Sequence, residues 1–130
     1  MPPLSEYKKK GQSTAARAQV GDVVQGVPGC TGQYVGRARV ILDPTEPGDL
    51  EPGDILIAPN TDPAWTPLFM SCGAVVVNVG AAISHAIIVS RELGLPCVVS
   101  ATDATVRIID GSLIEVNGDN GAVTILEVPA

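Results

Sequence analysis

The stretch GAVVVNVGAAISHAIIVSRELGLPCVV, Gly73 to Val99, decides the fold. Ala74 to Val79 is short and uniformly apolar, and it reads as a buried strand. From Ser84 to Leu93 the pattern becomes that of a helix, with Ser84 as its N-cap and Gly94 as its stop. Leu95 and Pro96 then lead into a second apolar run, Cys97 to Val99. A strand, loop, helix, strand unit is what joins neighbouring parallel strands, and strands apolar along their whole length belong in a sheet covered on both faces.

Upstream, Ile55 to Pro59 is a further buried strand. Pro63 and Pro67 suit the start of a short helix that buries Leu68, Phe69 and Met70 and stops at Gly73. Asp43 to Asp54 is a polar, proline-broken loop. Before it, order is expected to begin near Val20, with two strands joined by a turn at Pro28 and Gly29. The second of these strands alternates, so that Tyr34, Gly36, Ala38, Val40 and Leu42 share one side. Downstream, Val106 to Asp110, Leu113 to Val116 and Ala122 to Val128 read as three strands closing in two tight hairpins. The expectation is an α/β domain, rich in strands, over residues 20–130, with residues 1–19 as a flexible basic tail or linker.

Composition bounds what this domain can do. The chain has 130 residues, 45% of them hydrophobic, which is enough for one core and too short for two ordinary domains. Residues 1–17 carry four bases against one acid, and the remainder carries 13 acids against four bases. Arg37, Arg39, Arg91 and Arg107 are too few and too scattered to form a basic face, so no nucleic-acid partner is expected. Cys30, Cys72 and Cys97 are odd in number and far apart, and they read as core thiols in a reducing compartment. No run reaches the roughly 20 apolar residues of a membrane span, and the N-terminus lacks the apolar region of a signal peptide. A cytoplasmic chain without a membrane partner is expected.

His85 is the only histidine. Gly80, Ala81 and Ala82 before it allow a sharp turn and the close approach of another molecule. The free N–H groups and dipole of a helix start disfavour imidazolium and favour a nearby anion, so a neutral, nucleophilic imidazole is expected in surroundings hospitable to phosphate. A Ser-His-Asp triad fits poorly, because Ser84 and His85 are adjacent and no G-x-S-x-G elbow exists; a zinc site would need close-spaced ligands that are missing. The plain alternative is a hydrogen-bonded structural histidine. Ser84 caps the helix and could also donate to phosphate. Thr61, Asp62 and Trp65 read as helix-start chemistry, and Asn78 as a residue ordering the end of its strand and the Gly80 loop. Arg91 lies six residues past His85, about 9 Å along a helix and on another side, and reads as a surface residue.

The stretch from Gly73 to Val99, extended back through ILIAPNTDPAWTPLFMSC and forward through DGSLIEVNGDNGAVTIL, resembles the mobile phosphohistidine domain of phosphoenolpyruvate-utilising enzymes. Phosphoenolpyruvate synthase, pyruvate phosphate dikinase and the rifampicin phosphotransferases belong to this group. The resemblance implies a swivelling β/β/α domain whose histidine, here His85, accepts a phosphoryl group at one site and delivers it at another. Ser84, Gly80, Asn78 and Thr61 are then its supporting residues. It further implies a component of a phosphotransferase that binds no cofactor or metal itself. ATP or phosphoenolpyruvate with Mg would sit on an ATP-grasp nucleotide-binding domain and a substrate-binding domain, which act as partners. Ala81 stands where the family's loop usually has a second glycine. The alternative is a binding or regulatory domain that keeps the fold without exchange.

Overall fold

Alternation inside three short strands builds the molecule. In β4 (Ile55–Ala58), β5 (Ala74–Val77) and β6 (Cys97–Val99) every residue is buried. Ile55, Ile57, Ala74, Val76 and Val98 face one core, while Leu56, Ala58, Val75, Val77, Cys97 and Val99 face a second core on the opposite side of the sheet. Successive side chains of a strand point to opposite faces, so a strand apolar throughout must be covered twice. The computed structural model describes residues 19–46, 48, 50–61, 63–79 and 85–129, which excludes all of the expected tail except Gln19.

The first core is closed by a second group of strands, and the second by helices. The remaining strands are β1 (Val23–Gln25), β2 (Val27–Cys30), β3 (Gln33–Val40), β7 (Leu113–Asn117) and β8 (Ala122–Glu127). The helices are α1 (Thr66–Phe69), which follows a 3-10 turn at Pro63–Trp65, α2 (His85–Leu93) and α3 (Ala104–Arg107). All eight strands form one sheet in the order β1-β8-β7-β3-β4-β5-β6-β2. β3 serves both halves. Gln33 to Arg37 pair antiparallel with β7, and Ala38 to Val40 pair parallel with β4. The sheet therefore folds over along β3, and its outermost strands β1 and β2 are separated in sequence by Gly26 alone. Val24, Ile114, Val116, Val123 and Ile125 pack against the inner face of the parallel strands. Trp65, Leu68, Phe69, Ala86 and Ile87 cover the outer face. The result is three layers, β/β/α.

β4, β5 and β6 are parallel. The chain crosses over between them through α1 and then α2, both on the same side of the sheet, as connections of one hand require. Gly94, in the left-handed region at φ +74°, ends α2 as the sequence predicts.

Several expectations are corrected. Pro28 and Gly29 are not a turn: they lie within β2, which pairs with β6 through an irregular register, and an edge strand with a bulge tolerates proline. Leu42 is beyond β3 and exposed, and Ile41 takes the buried place because the alternation ends at Val40. Met70 is 72% exposed, since α1 stops at Phe69. Val106 to Asp110 is not a strand. α3 occupies Ala104–Arg107, Ala104 and Ile108 enter the first core, and only the β7–β8 hairpin remains of the two expected.

Candidate functional site

β4 and β5 are neighbouring parallel strands, so the segments leaving their C-terminal ends emerge side by side. Thr61 lies three residues beyond β4, and Asn78 and Val79 follow β5 directly. His85 opens α2, and Thr66 opens α1 beside it. The half-buried His85 ring is held through both nitrogens: Thr61 Oγ1 lies 3.0 Å from Nδ1, and Thr66 Oγ1 lies 3.2 Å from Nε2. The fully buried Phe69 ring meets the imidazole edge-on, with centroids 5.5 Å apart and planes at 69°. Such an edge contact adds about 0.5 to 1.5 kcal/mol beyond burial. Two hydrogen bonds and one ring contact fix the orientation of the imidazole.

The chemistry of this grip differs from that of a triad. A carboxylate only accepts and would pin the proton on the nitrogen it faces, whereas a hydroxyl both donates and accepts. The two threonines can follow either tautomer of the neutral ring, one accepting from N–H while the other donates to the bare nitrogen. The ring is thus held in place without being committed to one protonated nitrogen. No carboxylate hydrogen-bonds to His85 among the described residues. Among the same residues, no group of three or more His, Cys, Asp or Glu side chains is placed to hold a metal.

Thr61, expected both as helix-start chemistry and as a residue supporting His85, reaches the His85 ring, and Trp65 at the N-cap position of α1 makes no side-chain cap. Asn78 makes its side-chain hydrogen bonds to Thr105 rather than to His85. Its Nδ2 donates to Thr105 Oγ1 at 2.8 Å, and its Oδ1 accepts from Thr105 N at 3.0 Å, which ties the end of β5 to α3. Gly80 and Ser84 lie outside the described residues, as do Ala81, Ala82 and Asp62. Arg91 is exposed and lines a cleft with Cys30 and Asp119 rather than approaching His85. Thr66 is the site residue that sequence reasoning missed. Ile88, one turn along α2 from His85, is 51% exposed, and Val79 at the exit of β5 is 55% exposed. No helix among the described residues is long and apolar enough to cross a membrane.

The fold and the site define a β/β/α domain that presents one histidine, gripped by two hydroxyls, at the start of its covering helix. The chain belongs to the family of PEP-utilising enzyme mobile domains, whose pattern matches residues 50–121 and so takes in Thr61, Thr66, Asn78 and His85. It is 50% identical over 101 residues to the rifampicin phosphotransferase of Streptomyces sviceus, a match covering 78% of this chain and 12% of that protein. The rifampicin phosphotransferase of Bacillus subtilis is 42% identical over 120 residues, 92% of this chain and 13% of that protein. A solution structure of Enzyme I superposes with a TM-score of 0.52 and 30% identity, covering 59% of this chain and 32% of that one. The chain therefore spans only 12% and 13% of the length of these two phosphotransferase relatives.

Proposed function

We propose that the chain is a phosphoryl carrier, in which His85 accepts a phosphoryl group from a donor on a partner domain and passes it to an acceptor on another. The observation that carries this reading is the double grip on the imidazole by Thr61 and Thr66 at the start of α2. The bare ring nitrogen attacks phosphorus. The bond from phosphorus to the leaving oxygen breaks, and its electron pair departs with that oxygen. The other nitrogen keeps its proton, held by its threonine, so the ring does not turn as the new N–P bond forms. The hydroxyl facing the attacking nitrogen frees it by rotating about its C–O bond, which needs no movement of the backbone. The phosphoryl product adds about −1.5 to −2 charge near the start of a nine-residue helix, where the dipole favours an anion. Membership of the family and the names of the phosphotransferase relatives support the same reading. An ATP-grasp domain as the donor's host and a separate substrate-binding domain complete the cycle.

The test mixes the full chain with the Bacillus subtilis rifampicin phosphotransferase from which the segment matching this chain has been removed, and ATP labelled at its β and γ phosphates, with a parallel arm using labelled phosphoenolpyruvate. Acid-labile label is expected on the chain in one arm, none with either donor alone, and none on His85→Ala. That variant should remain folded with a loss of about 1 to 3 kcal/mol from the ring contact and hydrogen bonds. Label that persists on His85→Ala would place the phosphoryl acceptor at another residue, and a chain that takes up label in neither arm would leave a binding domain without exchange as the reading.

A further inference from the structure

Beneath α2, two cysteines pair across neighbouring strands and share one core. Cys30 at the end of β2 stands directly opposite Cys97 of β6 in the antiparallel pair. Directly opposed residues have Cα atoms about 4.5 to 5.5 Å apart, inside the roughly 4.4 to 6.8 Å window that a disulfide spans. Both are free cysteines, and both pack into the helix-side core, Cys97 fully buried and Cys30 half-buried. The register shift between Pro28 and Cys30 brings the two residues onto this shared face. A Cβ at Gly29 would meet Cys97 Sγ and Ile87 Cγ1, each at 3.2 Å, which places the Cys97 sulfur at the junction of β2 and α2. Solvent reaches this place through a cleft of about 300 Å³ lined by Gly29, Cys30, Arg91, Gly118 and Asp119. The third thiol differs: Cys72 is buried on the α1 side, with its Sγ donating to Leu68 O at 3.0 Å, and no cysteine stands opposite it.

We propose that Cys30 and Cys97 form an oxidative modification site, in which a hydroperoxide entering the cleft oxidises Cys30 and Cys97 then closes a disulfide between β2 and β6. In the first step the Cys30 sulfur attacks the peroxide, the O–O bond breaks, and sulfenic acid and an alcohol form, or water when the oxidant is hydrogen peroxide. In the second step the Cys97 sulfur attacks the Cys30 sulfur, the S–S bond forms, the S–O bond breaks, and hydroxide leaves as water with the proton of Cys97. Two thiols are oxidised by two electrons and the peroxide is reduced by two. The order follows from access, since Cys30 lines the cleft and Cys97 does not. Burial, chiefly, also pushes the Cys97 thiol up to about 11, so Cys97 stays in the less reactive thiol form while the more accessible Cys30 is oxidised first.

The full chain is treated with graded hydrogen peroxide, denatured, alkylated with iodoacetamide and mapped by mass spectrometry. A loss of about two hydrogens is expected with a linked Cys30–Cys97 peptide inside one chain, reversed by dithiothreitol, while Cys72 alkylates throughout. The Cys30→Ser variant should lose the linkage, and Cys97→Ala should leave a sulfenic acid on Cys30 that dimedone traps. If Cys97 stays fully alkylatable while Cys30 proceeds to sulfinic acid, or if the linkage joins two chains, the proposal is overturned.

Discussion

At the scale of single residues, the site turns on which ring nitrogen keeps its proton. A hydrogen bond between neutral groups contributes about 0.5 to 1.5 kcal/mol, which corresponds to roughly a tenfold effect when it orients a reacting group. Thr61 and Thr66 hold different nitrogens, so their removal should not have the same consequence. The threonine on the proton-bearing nitrogen keeps the ring aimed, and its change to Val should slow phosphoryl uptake about tenfold, with Ser restoring it. The threonine facing the attacking nitrogen only yields, and its Val variant should label at or above the wild-type rate. Initial labelling rates of Thr61→Val and Thr66→Val decide this, and equal losses in both would mean that both hydroxyls are needed alike and that the division of roles between them is wrong. His85 was legible from the sequence because a lone imidazole follows a run of small residues at a helix start. Thr61 was legible as a site residue, but its contact was not. Thr66 was silent, because its meaning arises only when β4 and β5 become parallel neighbours and their exits converge. The available signal was positional: residues just beyond successive buried strands gather at one end of the sheet.

At the scale of elements, Gly73 shows how a glycine that reads as a helix stop serves another purpose. A Cβ there would overlap the ring of Tyr34, whose hydroxyl donates to Gly53 O at 2.7 Å. Gly73 N also donates to Asp54 O at 2.9 Å, and Gly53 N to Ser71 O at 2.8 Å, so β3, the β4 entry and the α1 exit are tied at this point. Gly73→Ala should displace Tyr34 and cost about 1 to 3 kcal/mol by denaturant unfolding. In a Tyr34→Ala background most of that cost should vanish, and a penalty that persists there would place the requirement in the backbone rather than the ring. Element type was readable where the apolar pattern and its length agreed, as in β4, β5, α2 and β6. It failed at α3, where Val106, Ile108 and Ile109 suggested a strand by β-branching. The residues that reach the core there are Ala101, Ala104 and Ile108, spaced three and four apart, which is a helical period. Asp103 in the left-handed region at φ +62° starts that turn, and the Asn78 side chain secures its backbone at Thr105. The tie from Asn78 to Thr105, 27 residues along the chain, is not visible locally.

At the scale of the whole molecule, the fold-over of the sheet along β3 produces two cores, and the helix-side core contains both buried thiols, Cys72 and Cys97. Their ionisation links the packing of that core to alkaline stability. Burial, followed by the nearby Asp54 carboxylate, pushes Cys72 from 9.0 up to about 12, and burial pushes Cys97 from 9.0 up to about 11. A thiol that ionises near pH 9 in the unfolded chain releases its proton there, while the folded chain retains it to pH 11 or 12. Above pH 9 the unfolded state therefore binds fewer protons, and unfolding becomes more favourable as pH rises. The contribution is fully present below pH 9 and is lost as the pH climbs through the folded values, with a limiting slope of about 1.4 kcal/mol per pH unit for each thiol. Urea unfolding in reducing agent from pH 8 to 11 should show stability falling above pH 9. A Cys72→Val, Cys97→Val double variant should show a shallower fall, whatever its starting stability, because the other titrating groups are common to both chains. The difference between the two slopes isolates the thiols, and identical slopes would mean that the folded core lets them ionise as freely as the unfolded chain does.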